Sequence, residues 1–166
     1  ILCNNRIYKI LHGSDSLNIP YLYFDFLIQK DYIIKFTDKL IDTRFLCEYY
    51  NIEYNSNNKC KIYYVLNNHK IITNKIFKKI LKNENDMGPI YDIKININNM
   101  SNELMYYTLY DVLFLKYLCK YFMSKGEMYN KIIPEFTRFI FLERRNIVNI
   151  KDNLEEKVTK MNNYMI

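Results

Sequence analysis

Short apolar runs and helix-spaced apolar stripes alternate along the first third of the chain. Tyr8-Lys9-Ile10-Leu11 is a mostly apolar run closed by His12-Gly13-Ser14, the pattern of a buried strand followed by a turn. A helix is predicted next. Asn18 can cap it with its side-chain carbonyl, Pro20 sits in the first turn where its missing N–H does no harm, and Tyr21, Phe24, Leu27 and Ile28 recur at helical spacing. Leu40-Ile41 is a second short strand, and Asp42 reads as the N-cap of a helix through Phe45, Leu46, Tyr49 and Tyr50. Strand alternating with helix predicts an α/β fold.

From Lys59 onward the spacing becomes helical, with Ile62, Tyr63, Val65 and Leu66 in one stretch and Ile76, Phe77, Ile80 and Leu81 in another. The polar segment Asn83-Glu84-Asn85-Asp86-Met87-Gly88-Pro89 breaks this pattern, and Ile93 to Asn99 stays irregular, so a long loop is expected there. Ser101 then caps the strongest helix of the chain, with apolar residues at Leu104, Leu109, Val112, Leu115, Leu118 and Cys119, running to about Phe122. After Gly126 a further apolar stretch covers Ile132 to Leu142. The charged tail, with Glu143-Arg144-Arg145 and Asp152 to Lys160, is expected to be helical and partly solvated.

Composition changes this picture little. At 166 residues, 49% hydrophobic and 25% charged, the chain can bury a core of its own as one domain, and wholesale disorder is excluded. The net charge of +6 and the 17 Tyr and 10 Phe are compatible with nucleic-acid contacts. The surplus of Asn, Ile, Lys and Tyr is also what an A/T-rich gene writes, so the basic balance carries only modest weight. The Lys78-Lys79 and Lys82 cluster and Arg144-Arg145 read as solvated surface. Cys3, Cys47, Cys60 and Cys119 lack any C-x-x-C spacing, and only His12 and His69 are available to assist them, which argues against a zinc site and for reduced core cysteines. No apolar run reaches the ~20 residues of a membrane span, and the first residues lack the pattern of a signal peptide. An intracellular protein, cytoplasmic or nuclear and not secreted, is expected.

Candidate chemistry sits on the strongest helix. Tyr107 and Asp111 are four apart, so both side chains leave one face. The spacing alone is not diagnostic, since Tyr21 and Asp25 repeat it. Order is more telling: Lys9-Ile10-Leu11-His12-Gly13 comes first, Leu40-Ile41-Asp42-Thr43 follows, and Tyr107-Thr108-Leu109-Tyr110-Asp111-Val112-Leu113-Phe114-Leu115 closes the series. This ordered set, over roughly residues 1–122, resembles the Tyr-containing branch of the DEDD 3′-5′ exonucleases, of which ribonuclease D is the familiar member.

The resemblance implies a ribonuclease H-like sheet flanked by helices, two Mg²⁺ or Mn²⁺ ions, and stepwise hydrolysis of single-stranded 3′ ends, with RNA slightly favoured. Hard oxygen ligands suit such ions, and a pair about 4 Å apart can stabilise the attacking and leaving oxygens together. Carried over by position, Asp111 is a metal ligand and Tyr107 positions the attacking water. The family's second-motif aspartate falls near the start of the helix after His12-Gly13, where spacing to Ile19 and Leu22 favours Asn18, a neutral and weaker ligand, over Asp15. Its first motif, Asp-x-Glu on a strand, would fall before Ile1. Residues 1–122 are thus expected to form a partial exonuclease domain, missing its first strands, and 123–166 a helical extension of the same domain. His12 reads as a structural residue closing the strand, and Asp42 as a cap. An alternative is a catalytically degenerate module of the same fold that binds nucleic acid or a protein partner.

Overall fold

Two three-residue strands, β1 (Lys9–Leu11) and β2 (Leu40–Asp42), pair in parallel with Lys9 opposite Leu40, Ile10 opposite Ile41 and Leu11 opposite Asp42. The structure, a computed structural model, describes residues 2–14, 18–89 and 97–147. Parallel neighbours need a crossover. Here it is the pair α1 (Asn18–Asp25) and α2 (Lys30–Thr37). All three β2 residues are buried because both sheet faces are covered, as parallel strands require. Leu40 joins one core with Ile19, Tyr23 and Leu27 of α1 or its end, Ile33 and Phe36 of α2, and Phe141 and Leu142. Ile41, pointing the opposite way, joins a second core with Leu46, Cys47, Val65, Leu66, Ile80, Leu118 and Phe122.

Six more helices follow: α3 (Thr43–Glu53), α4 (Ile62–Asn68), α5 (Asn74–Met87), α6 (Asn102–Leu113), α7 (Leu115–Met123) and α8 (Ile133–Glu143). Three begin on side-chain caps. Asp42 accepts from Arg44 N at α3, Thr73 from Ile76 N at α5 and Ser101 from Leu104 N at α6. Before α8, a single π-turn (Met128–Ile132) buries Tyr129, whose hydroxyl donates to Glu53 of α3. Residues 123–147 therefore pack into the same two cores as the rest. The α/β class stands, in helix-rich form, with a two-stranded sheet among the described residues. No helix among the described residues is long and apolar enough to cross a membrane.

Several expectations need correction. The helix expected from Ser101 to Phe122 is two helices, broken at Phe114. Leu115, Leu118, Cys119 and Phe122 form a buried stripe on α7, whereas Leu109 and Val112 of α6 are exposed by 45% and 61%. One straight helix cannot serve both orientations, because α6 packs mainly on α5 while α7 packs on α3 and β1. On α1 the buried stripe is Ile19 and Tyr23, continued by Leu27, while Tyr21, Phe24 and Ile28 are exposed. Asn18 is the first residue of α1. Residues 83–87 are helical, not loop: α5 continues until Gly88, whose φ of +75° ends it as an L-residue would only with strain. Cys47 and Cys60 are joined in a disulfide, not reduced. The segment after α3 folds back, with Asn51 Nδ2 donating to Asn58 O, and so brings Cys60 to Cys47. Cys119 is a free buried thiol, its pKa pushed up to about 11 by burial. Of the segment Ile93 to Asn99 expected to be irregular, Ile97–Asn99 form a 3-10 turn, while residues 90–96 and the tail from 148 onward lie outside the described residues.

Candidate active site

Helix α6 carries Tyr107 and Asp111 one turn apart on one face, both side chains half-buried and close enough for each to act on the other's pKa. The face is held by the Ser101 cap, the burial of Leu104 and packing on α5, where Asn83 Nδ2 also donates to Glu103 O. A third group arrives from α4. Tyr63 is 5% exposed, sits in the larger core, and its hydroxyl donates to Asp111 Oδ1 at 2.6 Å. Glu84 of α5 lies near enough for its charge to act on Asp111, Tyr107 and Tyr63 together.

These neighbours set the local electrostatics. Burial raises the pKa of Asp111 and the Glu84 charge adds to this, while the hydrogen bond from Tyr63 and the neighbouring Tyr107 hydroxyl oppose it by stabilising the carboxylate. Tyr107 is raised first by burial and then by the Asp111 charge. Tyr63 is raised by burial and by its bond to Asp111, so it stays a protonated donor. The result is a poorly hydrated carboxylate braced by the Tyr63 phenol, with Tyr107 and a second negative charge nearby. A carboxylate oxygen is the hard donor type that Mg²⁺ or Mn²⁺ prefers, and Asp111 offers one such group. No group of three or more His, Cys, Asp or Glu side chains able to hold an ion occurs among the described residues. Asp111 fits one ligand position, and a two-ion site would draw its other ligands from outside the described residues. Those include the Asn18 side chain and all of Asp15, which lie outside the description.

Around the turn after β1, the candidates take structural roles. Asp42 is 1% exposed and accepts four hydrogen bonds: Gly13 N and Arg44 N at 2.9 Å each on Oδ1, and on Oδ2 Ser14 N at 2.9 Å and Ser14 Oγ at 2.6 Å. It is thus a helix cap, as expected, and also the tie that fixes the β1–α1 turn. Gly13 has φ +63°, and a Cβ there would meet Arg44 Cδ at 3.3 Å, so the turn takes glycine. His12 closes the strand, with Nδ1 2.9 Å from Thr43 Oγ1 and Nε2 2.9 Å from Cys60 O. Burial lowers its pKa, and in the neutral ring Nε2–H donates to the Cys60 carbonyl. Lys78, Lys79, Lys82, Arg144 and Arg145 are exposed, as expected; Lys79 lies over the Tyr106 ring and Arg145 over Tyr23.

Tyr63 and Glu84 were not legible as site residues. Tyr63 reads as one apolar position in a helical stripe, and nothing in spacing connects it with a carboxylate 48 residues later. Glu84 falls in a segment that reads as loop.

No protein-family profile matches the chain, and no solved structure matches it. The chain is similar to an uncharacterized protein of Acanthamoeba polyphaga mimivirus, 38% identical over 189 aligned residues. The match takes in 100% of this chain and 37% of the viral protein, so the chain spans little more than a third of that relative's length.

Proposed function

We propose that this chain forms most of a ribonuclease D-like 3′-5′ exonuclease domain that removes nucleotides from single-stranded ends, RNA slightly favoured over DNA. The observation that carries the reading is the meeting of Tyr107 and Asp111 on one half-buried helix face, braced by Tyr63 from a separate helix. It is supported by the parallel pairing of the two strands that precede the His12-Gly13 and Asp42-Thr43 segments, in the order the resemblance implies.

In this reading a pair of Mg²⁺ or Mn²⁺ ions, when bound, supplies the Lewis acidity and the activated water of phosphodiester hydrolysis. The chain's own part is placement. Asp111 contributes a carboxylate oxygen whose orientation is restricted by the Tyr63 phenol. Tyr107, one turn from Asp111 on the same helix face, holds a hydroxyl on that side and orients a water for attack. Asp42, by fixing Gly13 and Ser14, sets where the helix bearing Asn18 begins.

One sequence feature favours a second reading. Asn18 stands where the family pattern has an aspartate, and an amide contributes no charge to a cation site, which suits a degenerate module that binds nucleic acid without cutting it. The two readings separate on Asp111→Asn in the full natural chain, assayed for both binding and loss of a labelled single strand in Mn²⁺. The enzyme reading expects strand loss to fall by at least about 100-fold with binding retained. Wild-type binding with no metal-dependent loss of strand would establish the second reading.

A further inference from the structure

Folding leaves an aromatic face of α1 in solvent. Tyr21 and Phe24 are exposed by 65% and 81%, on the side of the helix away from the buried Ile19 and Tyr23. The chain keeps turning past Asp25, with Phe26 N and Leu27 N both donating to Leu22 O, so the exposed Ile28 continues that face one turn beyond Phe24. The core does not call for these side chains, because Ile19, Tyr23 and Leu27 already anchor the segment. A single exposed apolar residue is ordinary, whereas a contiguous patch marks a binding surface.

Ile28 also borders a hollow of about 320 Å³ between the start of α2 and the end of α8, whose lining includes Lys30, Arg144 and Arg145 and no carboxylate. The cations are held against α1. The Arg145 guanidinium lies 5.2 Å from the centre of the Tyr23 ring, and the Tyr23 hydroxyl donates to Phe141 O at 3.3 Å, tying α1 to α8. Arginines just past a helix C-terminus complement its dipole, which gives Arg144 and Arg145 a structural reason to be there. Lys30 has no such reason. It is the first residue of α2, where a cation opposes the dipole, and the acidic residue that suits that turn, Asp31, is not part of the hollow's lining.

We propose that the Tyr21–Phe24 face of α1 and the adjoining hollow together bind single-stranded nucleic acid, with the two rings stacking on bases and Lys30, Arg144 and Arg145 contacting phosphates. Ring faces beside a cationic groove are the combination that single strands require. The eight residues of α1 span about 12 Å, the reach of a few nucleotides and far shorter than the face an interfacial helix lays on a bilayer. The proposal rests on the exonuclease reading for the class of its partner, and it involves neither cleavage nor a metal.

The test uses the full natural chain and a 5′-fluorescein-labelled oligouridylate of about 12 nucleotides, followed by fluorescence anisotropy with chelator present, from about 50 to 200 mM NaCl. Removing both rings, in Tyr21→Ala/Phe24→Ala, should weaken binding by about fivefold or more per ring at every salt concentration and leave the salt slope unchanged. The same variant should bind an abasic strand of equal length as wild type does. Lys30→Gln/Arg144→Gln/Arg145→Gln should weaken binding to both strands and make the slope of log K against log salt shallower by about 2, at about 0.7 per phosphate contact. All five side chains are exposed, so urea midpoints should stay near wild type, and Lys30→Gln alone, with a slope change of about 0.7, serves if the triple variant does not fold. Unchanged strand affinity in the ring variant, or an equal loss on the abasic strand, overturns the proposal, and so does a wild type that binds no strand. A ring variant that keeps strand affinity but loses self-association in sedimentation, or loses binding to phosphatidylserine vesicles, assigns the face to a second copy or to a bilayer and overturns it too. The exonuclease reading is judged separately. Metal-dependent shortening by wild type with full strand binding by the ring variant upholds that reading and sinks this proposal, while ring-dependent binding without shortening in Mn²⁺ does the reverse.

Discussion

Replacing Asp42 by asparagine perturbs the tie between the two strands' ends more sharply than its small change in shape suggests. The carboxylate is buried and accepts four hydrogen bonds, two on each oxygen. An amide keeps one oxygen and turns the other into a donor. If the amide nitrogen takes the Oδ2 position it faces Ser14 N–H, a donor that cannot turn away, and Ser14 Oγ, a hydroxyl that can reverse and accept. If it takes the Oδ1 position it faces Gly13 N–H and Arg44 N–H, both fixed donors, which is worse. The first arrangement loses one backbone bond outright and weakens the remaining charge-assisted bonds. At about 1.5–3 kcal/mol for each bond to a charged group, and with the hydroxyl bond partly recovered, the expected cost is about 3 kcal/mol. Equilibrium urea unfolding of Asp42→Asn against wild type measures it. Ser14→Ala, which removes only the hydroxyl bond to that carboxylate, should cost about 1.5–2 kcal/mol. A loss under about 1 kcal/mol for Asp42→Asn, or a larger loss for Ser14→Ala than for Asp42→Asn, would refute the assigned hydrogen bonds.

Two further outcomes follow from the same region. The pKa of His12 is lowered in the fold, chiefly by burial, with Asp42 and Glu48 pulling it up and Arg44 adding to the fall. The native state therefore binds fewer protons than the unfolded chain below pH 6.5, so stability drops as pH falls from about 7 toward the lowered native pKa, by at most about 1.4 kcal/mol per pH unit. His12→Gln should flatten that slope in urea midpoints measured from pH 7.5 to 5, and an unchanged slope would rule out His12 as its source. The Cys47–Cys60 bridge closes a separation of 13 residues, so Cys60→Ser should lower the unfolding free energy by about 3 kcal/mol, and added reductant should lower wild type alone. Equal sensitivity of both proteins to reductant would deny the bridge.

How much was legible in the residues differs from element to element. Strand runs flanked by glycine or by a capping aspartate located β1, β2 and the start of α3, because such signals are local. Ser101 located α6 for the same reason. The phase of α1 and the break at Phe114 were not legible, because aromatic residues are so frequent here that several stripes compete. Tyr21, Phe24 and Ile28 made as good a pattern as the Ile19, Tyr23 and Leu27 that are buried. The pairing of Cys47 with Cys60 depends on a loop returning over α3, which no spacing rule encodes. In the candidate site, the shared face of Tyr107 and Asp111 was legible because they lie one helical turn apart. Tyr63 was not legible because its contact with Asp111 is tertiary, and a tyrosine whose ring is core and whose hydroxyl bonds a distant carboxylate looks like core alone. Asp42 was read as a cap, and its second task, holding Gly13 and Ser14, depends on the parallel register that sets Leu11 opposite Asp42.

The exonuclease reading is tested most directly by the product pattern from a 5′-labelled single strand, followed through time with Mg²⁺ or Mn²⁺, with chelator, and with Asp111→Asn. The account predicts a ladder that shortens one nucleotide at a time from the 3′ end, present only with metal and lost in the variant. Shortening that survives both the chelator and Asp111→Asn would contradict it.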